Sequence, residues 1–375
     1  MTDGAGGEAA GAVFTPAAAV WSLADQGQRE AAWRTGLALL RRRPRDRLLL
    51  GLLARLAGRS EAAALRDALA EGDAEAHFLC ESPPSDASPA LRAKLATWLL
   101  DLGEPADALV LCQPLPHPAL SLATARVLRA LGRLDEAAAA YRRVLATAPD
   151  HRESQSLAPA LSGQAPVLTA GGGLAAVPFL RLASPLDAAA HAALRDRLLA
   201  LLPSFGPAKV HAVADAPDSL DPARSARVLM HLPSETAPLA RWLQAERRRL
   251  LALLLLDPPS VAALELQATL SGTGDRYAAH RDSGDRSTGQ RNLTLVYYLH
   301  RQPRAFRGGA LRLYDSDLAS GHWLSGGYTR IEPEDGTLLL FPAAAWHEIE
   351  PVTDCADPAD GRLTVNGWFR TAPPR

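Results

Sequence analysis

The sequence predicts a chain in two parts: an array of paired α-helices, followed by an antiparallel β-sandwich or jelly roll supported by helices on one side. Three observations carry this. From about 17 to 150 the chain is rich in Ala and Leu, with glycines and alanines at the spacing of helix turns. After Pro258-Pro259 the apolar pattern changes to period two, broken by Gly, Asp and Pro turns. Within that second part lie His280, Asp282, His347 and Arg362, residue types that carry chemistry.

Composition bounds the function. A chain of 375 residues is long enough for two or three domains with real cores. Its formal net charge of −1 gives no global field towards nucleic acid or anionic membrane, so neither is expected as a partner. The three cysteines, Cys80, Cys112 and Cys355, are far apart and odd in number, which indicates neither a disulfide framework nor a zinc ribbon. Met1 to Ala19 lacks a basic head followed by an apolar run, so no signal peptide is read. The apolar stretch Leu250–Leu256 is too short to cross a bilayer. A cytoplasmic location is the expectation.

The elements follow in order. Residues 1–16, rich in Gly and Ala, read as a disordered leader. Residues 17–150 read as helices with weak self-similarity, clearest over Leu120–Asp150. There Ala125, Gly132, Ala137, Tyr141 and Pro149 fall at the small, turn, small, aromatic and terminating positions of a tetratricopeptide-like repeat. Similar spacing recurs at Gly27/Ala32 with Pro44, at Gly58/Ala63 and at Gly103/Ala108. Gly permits the tight turn between paired helices, Ala allows their close approach, and Pro ends the second helix. Residues 151–176, with Pro159, Pro166 and Gly171-Gly172-Gly173, read as a linker. Residues 177–375 form the second domain, opening on a strand at Phe179–Leu182 and helices at about 185–202 and 235–256. Strands are predicted at 261–270, 276–282, 292–299, 310–314, 328–332, 337–341 and 362–370.

The candidate site lies on those strands. His280 and Asp282 are two apart, so in an extended segment both side chains leave one face. His347 follows the apolar strand Leu338–Phe341 and a short turn. Two imidazoles and a carboxylate are the ligand set of a non-haem Fe(II) centre with open coordination positions. On 292–299, Thr294, Val296 and Tyr298 form one row, and Tyr298 can offer a hydroxyl to an anion. Arg362, Thr364, Asn366 and Trp368 share a face of the last strand. Arg suits a carboxylate because its planar fork donates two parallel hydrogen bonds, and burial without an anionic partner is costly.

The motifs Tyr277-Ala-Ala-His280-Arg-Asp282, Arg291-Asn-Leu-Thr-Leu-Val-Tyr-Tyr298-Leu, Gly308-Gly309-Ala-Leu, Leu340-Phe341-Pro342, His347-Glu-Ile and Arg362-Leu-Thr-Val-Asn-Gly-Trp-Phe369 occur in this order. Together they resemble the prolyl 4-hydroxylase-type Fe(II)/2-oxoglutarate dioxygenases over roughly residues 175–372. Each motif alone is weak; six in order are specific. The resemblance implies a double-stranded β-helix binding Fe(II) through His280, Asp282 and His347. It implies 2-oxoglutarate chelating the metal, with its distal carboxylate on Arg362 and Tyr298 and with Thr364 nearby. Asp282 argues against the halogenase variant, which vacates that position. The interval between His347 and Arg362, filled by Thr353–Gly361, is longer than the family's usual spacing and reads as a loop insertion.

The function this implies is hydroxylation of a peptide- or protein-linked residue, proline among them, with O₂ as oxidant and ascorbate as reductant. Tyr277, Arg291 and Trp368 are the candidate substrate contacts, and the loop Ser283–Gln290 a candidate lid. The helical repeats would present a concave face to a peptide or protein. Three other readings stay open: a catalytically inactive helical-repeat scaffold, a cupin-type dioxygenase without the oxoacid, and a hydroxylase of a free amino acid or small metabolite.

Overall fold

The computed structural model describes residues 19–20, 23–24, 26–42, 53, 89–101, 103–112, 117–166, 173–210, 219–220, 224–256, 262–283 and 291–371. The leader expected at 1–16, the turn at Gly58, the loop 284–290 and Cys80 lie outside these residues. The chain divides into two compact units, Met1–Leu115 and Pro116–Arg375.

The first unit contains helices α1 (Arg29–Arg42), α2 (Pro89–Asp101) and α3 (Pro105–Cys112). Of the three glycines read as turns here, the two that are described have positive φ, +73° at Gly27 and +82° at Gly103. Each closes a helix in the same way. Gly103 N–H donates to Leu100 O and Glu104 N–H to Leu99 O, and the pair at Gly27 and Gln28 donates to Ala24 O and Leu23 O. This left-handed cap satisfies the last carbonyls of a helix, and glycine adopts it without a Cβ penalty. Ala32 and Ala108, five residues beyond these glycines, are fully buried, as close helix packing requires.

The second unit begins with α4 (Pro118–Ala130), α5 (Leu134–Thr147) and α6 (Arg152–Leu161). Gly132 repeats the cap with φ +76°, and Ala137 and Tyr141 are fully buried. The stretch 151–176 departs from the linker expectation, because its first half is helix α6. Pro159 sits inside that helix, where propensity disfavours it. Packing outweighs that cost: Leu157, Ala158, Ala160 and Leu161 are buried. Glu153 also binds the Arg126 guanidinium and accepts the Tyr141 hydroxyl at 2.7 Å. Burial pushes the Glu153 carboxyl up, but Arg126, Arg129 and Tyr141 outweigh it and hold it at about 2.

Then come β1 (Leu180–Ala183), α7 (Ala188–Ala200), the short strands β2 (Gly206–Pro207), β3 (Lys209–Val210), β4 (Ser219–Leu220), β5 (Arg224–Ser225) and β6 (Arg227–Leu229), and α8 (Ala237–Leu253). The remaining strands are β7 (Ala262–Ser271), β8 (Arg276–His280), β9 (Arg291–Tyr298), β10 (Arg307–Gly308), β11 (Leu311–Ser316), β12 (Trp323–Ile331), β13 (Thr337–Pro342), β14 (His347–Ile349), β15 (Val352–Thr353) and β16 (Arg362–Thr371). A seven-stranded sheet runs β1-β13-β9-β16-β7-β6-β2, and a five-stranded sheet runs β12-β11-β14-β8-β5. The pairings within both are antiparallel.

Alternation along the large sheet separates core from cavity. Leu293, Leu295, Tyr297, Leu363, Val365 and Phe369 face the apolar layer formed with Leu194 and Leu198 of α7 and Leu239, Leu243 and Leu250 of α8. Thr294, Val296, Arg362, Asn366 and Trp368 leave the opposite face and line a cavity. Helix α4 packs against β12. Its Arg129 forms a buried bidentate pair with Asp315 of β11, at 2.8 and 2.6 Å.

Candidate metal centre

The cavity, about 620 Å³ in volume, is lined by residues of both sheets. His280 and His347 come from two adjacent strands of the smaller sheet, and Asp282 from the residues just after the first. β14 pairs with β8 so that His347 lies directly opposite His280. Asp282 sits just beyond β8, where its N–H and that of Ser283 both donate to Ala343 O, at 3.0 and 3.1 Å. That anchor draws the chain after β8 towards the turn between β13 and β14.

The ligand atoms of His280, Asp282 and His347 all lie within 4.8 Å of one another. His280 Nε2 is 3.7 Å from Asp282 Oδ1, and His347 Nε2 is 3.5 Å from Asp282 Oδ2. Each imidazole is oriented from behind. His280 Nδ1 is 2.8 Å from Ala278 O, and His347 Nδ1 is 3.0 Å from Ala345 O. A carbonyl only accepts, so each Nδ1 carries the proton and each Nε2 turns its lone pair to the centre. Burial pushes His280 well below the ordinary histidine range, with His347 adding to the effect, so its ring is neutral near pH 7. Burial also acts on the Asp282 carboxyl, pushing it up, but His347 and His280 outweigh this and hold it below its usual value. Thr294 Oγ1 donates to Asp282 Oδ2 at 2.7 Å. Two imidazoles and a carboxylate, fixed by hydrogen bonds from outside, fit a divalent first-row metal.

Arg362, at the start of β16, also lines the cavity and is only 2% exposed. Its Nε donates to Gly309 O at 2.8 Å, and its Nη2 is 3.5 Å from the Tyr298 hydroxyl. Among the described residues no carboxylate pairs with it. Gly309 has φ +68°, and a Cβ there would meet Arg362 Cδ at 2.8 Å, so the close approach needs glycine.

The other expected residues fall in distinct places. Tyr277 stacks on His280 with ring centroids 3.5 Å apart. Arg291 lies over the Trp368 ring at 3.7 Å and donates to Glu265 Oε2 at 2.9 Å. All three of these candidate substrate contacts line the cavity. Tyr298 and Thr364 do not. Tyr298 is fully buried beside Arg362, and the Thr364 hydroxyl turns to Thr269 O at 3.4 Å. Sequence reading missed Arg224, whose two-residue strand has no periodicity to announce it, and Thr269, whose hydroxyl accepts from Asn366 Nδ2 at 2.9 Å. Thr353–Gly361, read as an insertion, is held by mutual hydrogen bonds between Thr273 and Cys355 and includes a 3₁₀ turn at Pro358–Asp360.

Residues 266–370 match the family model described as the 2OG-Fe(II) oxygenase superfamily. The matched segment holds the three candidate ligands and Arg362. A curated relative, an uncharacterised PKHD-type hydroxylase from Synechocystis, is 34% identical over 141 residues, which is 37% of this chain and 46% of the relative. The alignment thus spans about half of that protein. Among solved structures, a prolyl-4-hydroxylase from Pseudomonas putida is 23% identical with a TM-score of 0.39, over 52% of this chain and 94% of the other. A prolyl hydroxylase from Trichoplax adhaerens, in complex with a hypoxia inducible factor oxygen degradation domain peptide fragment, is 19% identical with a TM-score of 0.39. It aligns over 51% of this chain and 83% of its own. Among the described residues no helix is long and apolar enough to cross a membrane.

Proposed function

We propose that this chain is an Fe(II)- and 2-oxoglutarate-dependent oxygenase that hydroxylates a peptide- or protein-linked residue, proline among the candidates. One observation carries the reading: the His280–Asp282–His347 cluster and the Arg362 guanidinium, which has no carboxylate partner among the described residues, line a single cavity. A metal alone accounts for the cluster. A buried guanidinium beside it calls for an anion, and an oxoacid that binds metal at one end and arginine at the other satisfies both.

In the overall reaction O₂ oxidises one substrate C–H to C–OH while 2-oxoglutarate loses CO₂ and becomes succinate, chemistry supplied by ferrous iron when bound. The protein's own residues bind and orient. Asp282 brings the one carboxylate of the cluster, and Thr294 fixes its orientation through the bond to Oδ2. Arg362 takes the oxoacid's distal carboxylate, and Tyr298 and Gly309 O hold its plane. Burial of Arg362 and Thr364 keeps water from that end. Tyr277, Arg291 and Trp368 form the wall against which substrate lies.

The helices before the sheets are read as a tetratricopeptide-like array over 17–150, supported by the repeated glycine caps and buried alanines, with the oxygenase domain over 177–375. The array would present peptide or protein substrates. Ascorbate as reductant and a cytoplasmic setting complete the proposal.

The test is isothermal titration of 2-oxoglutarate into Mn(II)-loaded protein, with succinate formation under Fe(II) and ascorbate. Binding and turnover are expected for the natural chain, with neither turnover in His280→Ala nor oxoacid binding in Arg362→Ala. Unchanged turnover in His280→Ala would refute the metal assignment. Activity that survives Arg362→Ala would favour a metal dioxygenase without the oxoacid.

A further inference from the structure

Charge around the cavity is one-sided in a chain that is nearly neutral overall. Among the described residues two carboxylates line it. Asp282 belongs to the candidate metal cluster, and Glu265 is already neutralised by Arg291 and Arg370. Against these stand Arg224, Arg276 and Arg281, which also line the cavity and form no ion pair among the described residues. Further along the smaller sheet, by contrast, Arg312 and Arg330 both bind Glu350. Three guanidinium groups at the cavity are therefore without an acid partner among the described residues.

Arg224 is the central member. It lies on β5, the edge strand of the smaller sheet, opposite Tyr277 of β8. Its guanidinium lies 5.0 Å from the Tyr277 ring centroid, and Tyr277 stacks in turn on His280. Arg224 Nη2 also reaches Thr269 Oγ1 on the opposite sheet, at 3.5 Å. The cation is thus half-buried, spans the cavity mouth and stands one aromatic ring away from a candidate metal ligand. Among the described residues its one hydrogen-bond partner is this neutral hydroxyl at a long distance, which leaves most of its five donors for a ligand. Arg276 is exposed beside it, on the strand that carries His280.

The cavity does not end there. Met230 and Leu266 line both it and an adjoining groove of about 510 Å³, whose apolar side is completed by Leu232 and Leu264 and whose rim carries Arg241 and Gln244. Either space alone would hold a drug-sized ligand. A trough with cations at one part and a groove with an apolar side at another suits an extended chain better than a single amino acid.

Resting on the hydroxylase reading, we infer that the substrate is an acidic peptide segment: an Asp or Glu side chain near the target residue docks on Arg224 and Arg276, and an apolar residue occupies the groove beside Met230. The carboxylate receives two donors from a planar fork, and the target residue is set towards the candidate metal across Tyr277.

The experiment compares two fluorescein-labelled twelve-residue peptides with a central proline, one with glutamates flanking it and one with glutamines there. Anisotropy is read on metal-free protein and again with Mn(II) and 2-oxoglutarate. The glutamate peptide is expected to bind about tenfold or more tightly, the size of one charge-assisted hydrogen bond. The advantage shrinks at high salt, and Arg224→Gln removes most of it while leaving binding of the glutamine peptide unchanged. Should Arg224→Gln not fold, the exposed Arg276→Gln and the peptide pair on unaltered protein serve as the test. Equal binding of the two peptides, binding of neither, or tighter binding of a single-stranded oligonucleotide would overturn the inference. Glutamate preference on a protein that binds no 2-oxoglutarate would keep this inference and sink the oxygenase reading instead.

Discussion

The Arg129–Asp315 pair gives the sharpest stability prediction. Arg129 of α4 and Asp315 of β11 are 186 positions apart in sequence, and their side chains are 1% and 12% exposed. Two parallel N–H···O bonds join them at 2.8 and 2.6 Å. Substituting Arg129→Met keeps most of the apolar stem but leaves Asp315 ionised and uncompensated. A broken buried pair of this kind costs about 3–5 kcal/mol. At roughly 2–4 °C per kcal/mol for a unit of this size, Tm falls by roughly 6–20 °C. Adding Asp315→Asn removes the stranded charge, so the double variant recovers about 1–2 kcal/mol despite carrying a second change. Urea and thermal melts followed by tryptophan fluorescence measure all three proteins. A loss below about 1 kcal/mol for Arg129→Met, or strictly additive losses in the double variant, would refute the account of α4 held to the sheet through this contact.

Three further predictions concern the site. Thr294→Val removes the donor to Asp282 Oδ2, and Mn(II) affinity by titration should fall about 10–100-fold with the fold intact. Gly309→Ala puts a methyl 2.8 Å from Arg362 Cδ at a residue with φ +68°; the 2-oxoglutarate Kd should rise about tenfold or more, while metal affinity stays within about threefold. The third is a pH dependence. His280 is held from its usual 6.5 down towards about 3 in the folded chain, so the unfolded chain binds more protons between those values. Stability of the metal-free protein is then present in full above about 6.5 and is lost as pH falls, with a slope of up to about 1.4 kcal/mol per pH unit. Measured between pH 6.5 and 4.5, above the Asp282 range, the slope should flatten in His280→Gln. An equal slope in that variant would place the proton uptake elsewhere.

Much of the sheet was legible because burial on one face imposes period two. The strands read at 261–270, 292–299, 337–341 and 362–370 form at Ala262–Ser271, Arg291–Tyr298, Thr337–Pro342 and Arg362–Thr371. The same alternation placed Thr294, Val296 and Tyr298 in one row and Arg362, Thr364, Asn366 and Trp368 in another; all of these but Tyr298 and Thr364 line the cavity. Helix α6 was not legible, since Pro159 and the glycines that follow outweigh its short apolar pattern until Leu157 and Leu161 find their neighbours. Arg224 was hidden for another reason. A two-residue strand carries no period, and its place at the cavity mouth comes from pairing with β8.

By itself the sequence determined which residue types were present for metal and oxoacid chemistry, and that extended segments would put them on common faces, because alternation is a property of the local backbone. Only the tertiary structure decided that His347 lies opposite His280, that Tyr298 and Thr364 stand behind Arg362 or turn away rather than line the cavity, and that Arg129 meets Asp315. Those relations depend on strand register and on packing between segments far apart in the chain, and no local pattern encodes a distance across a sheet.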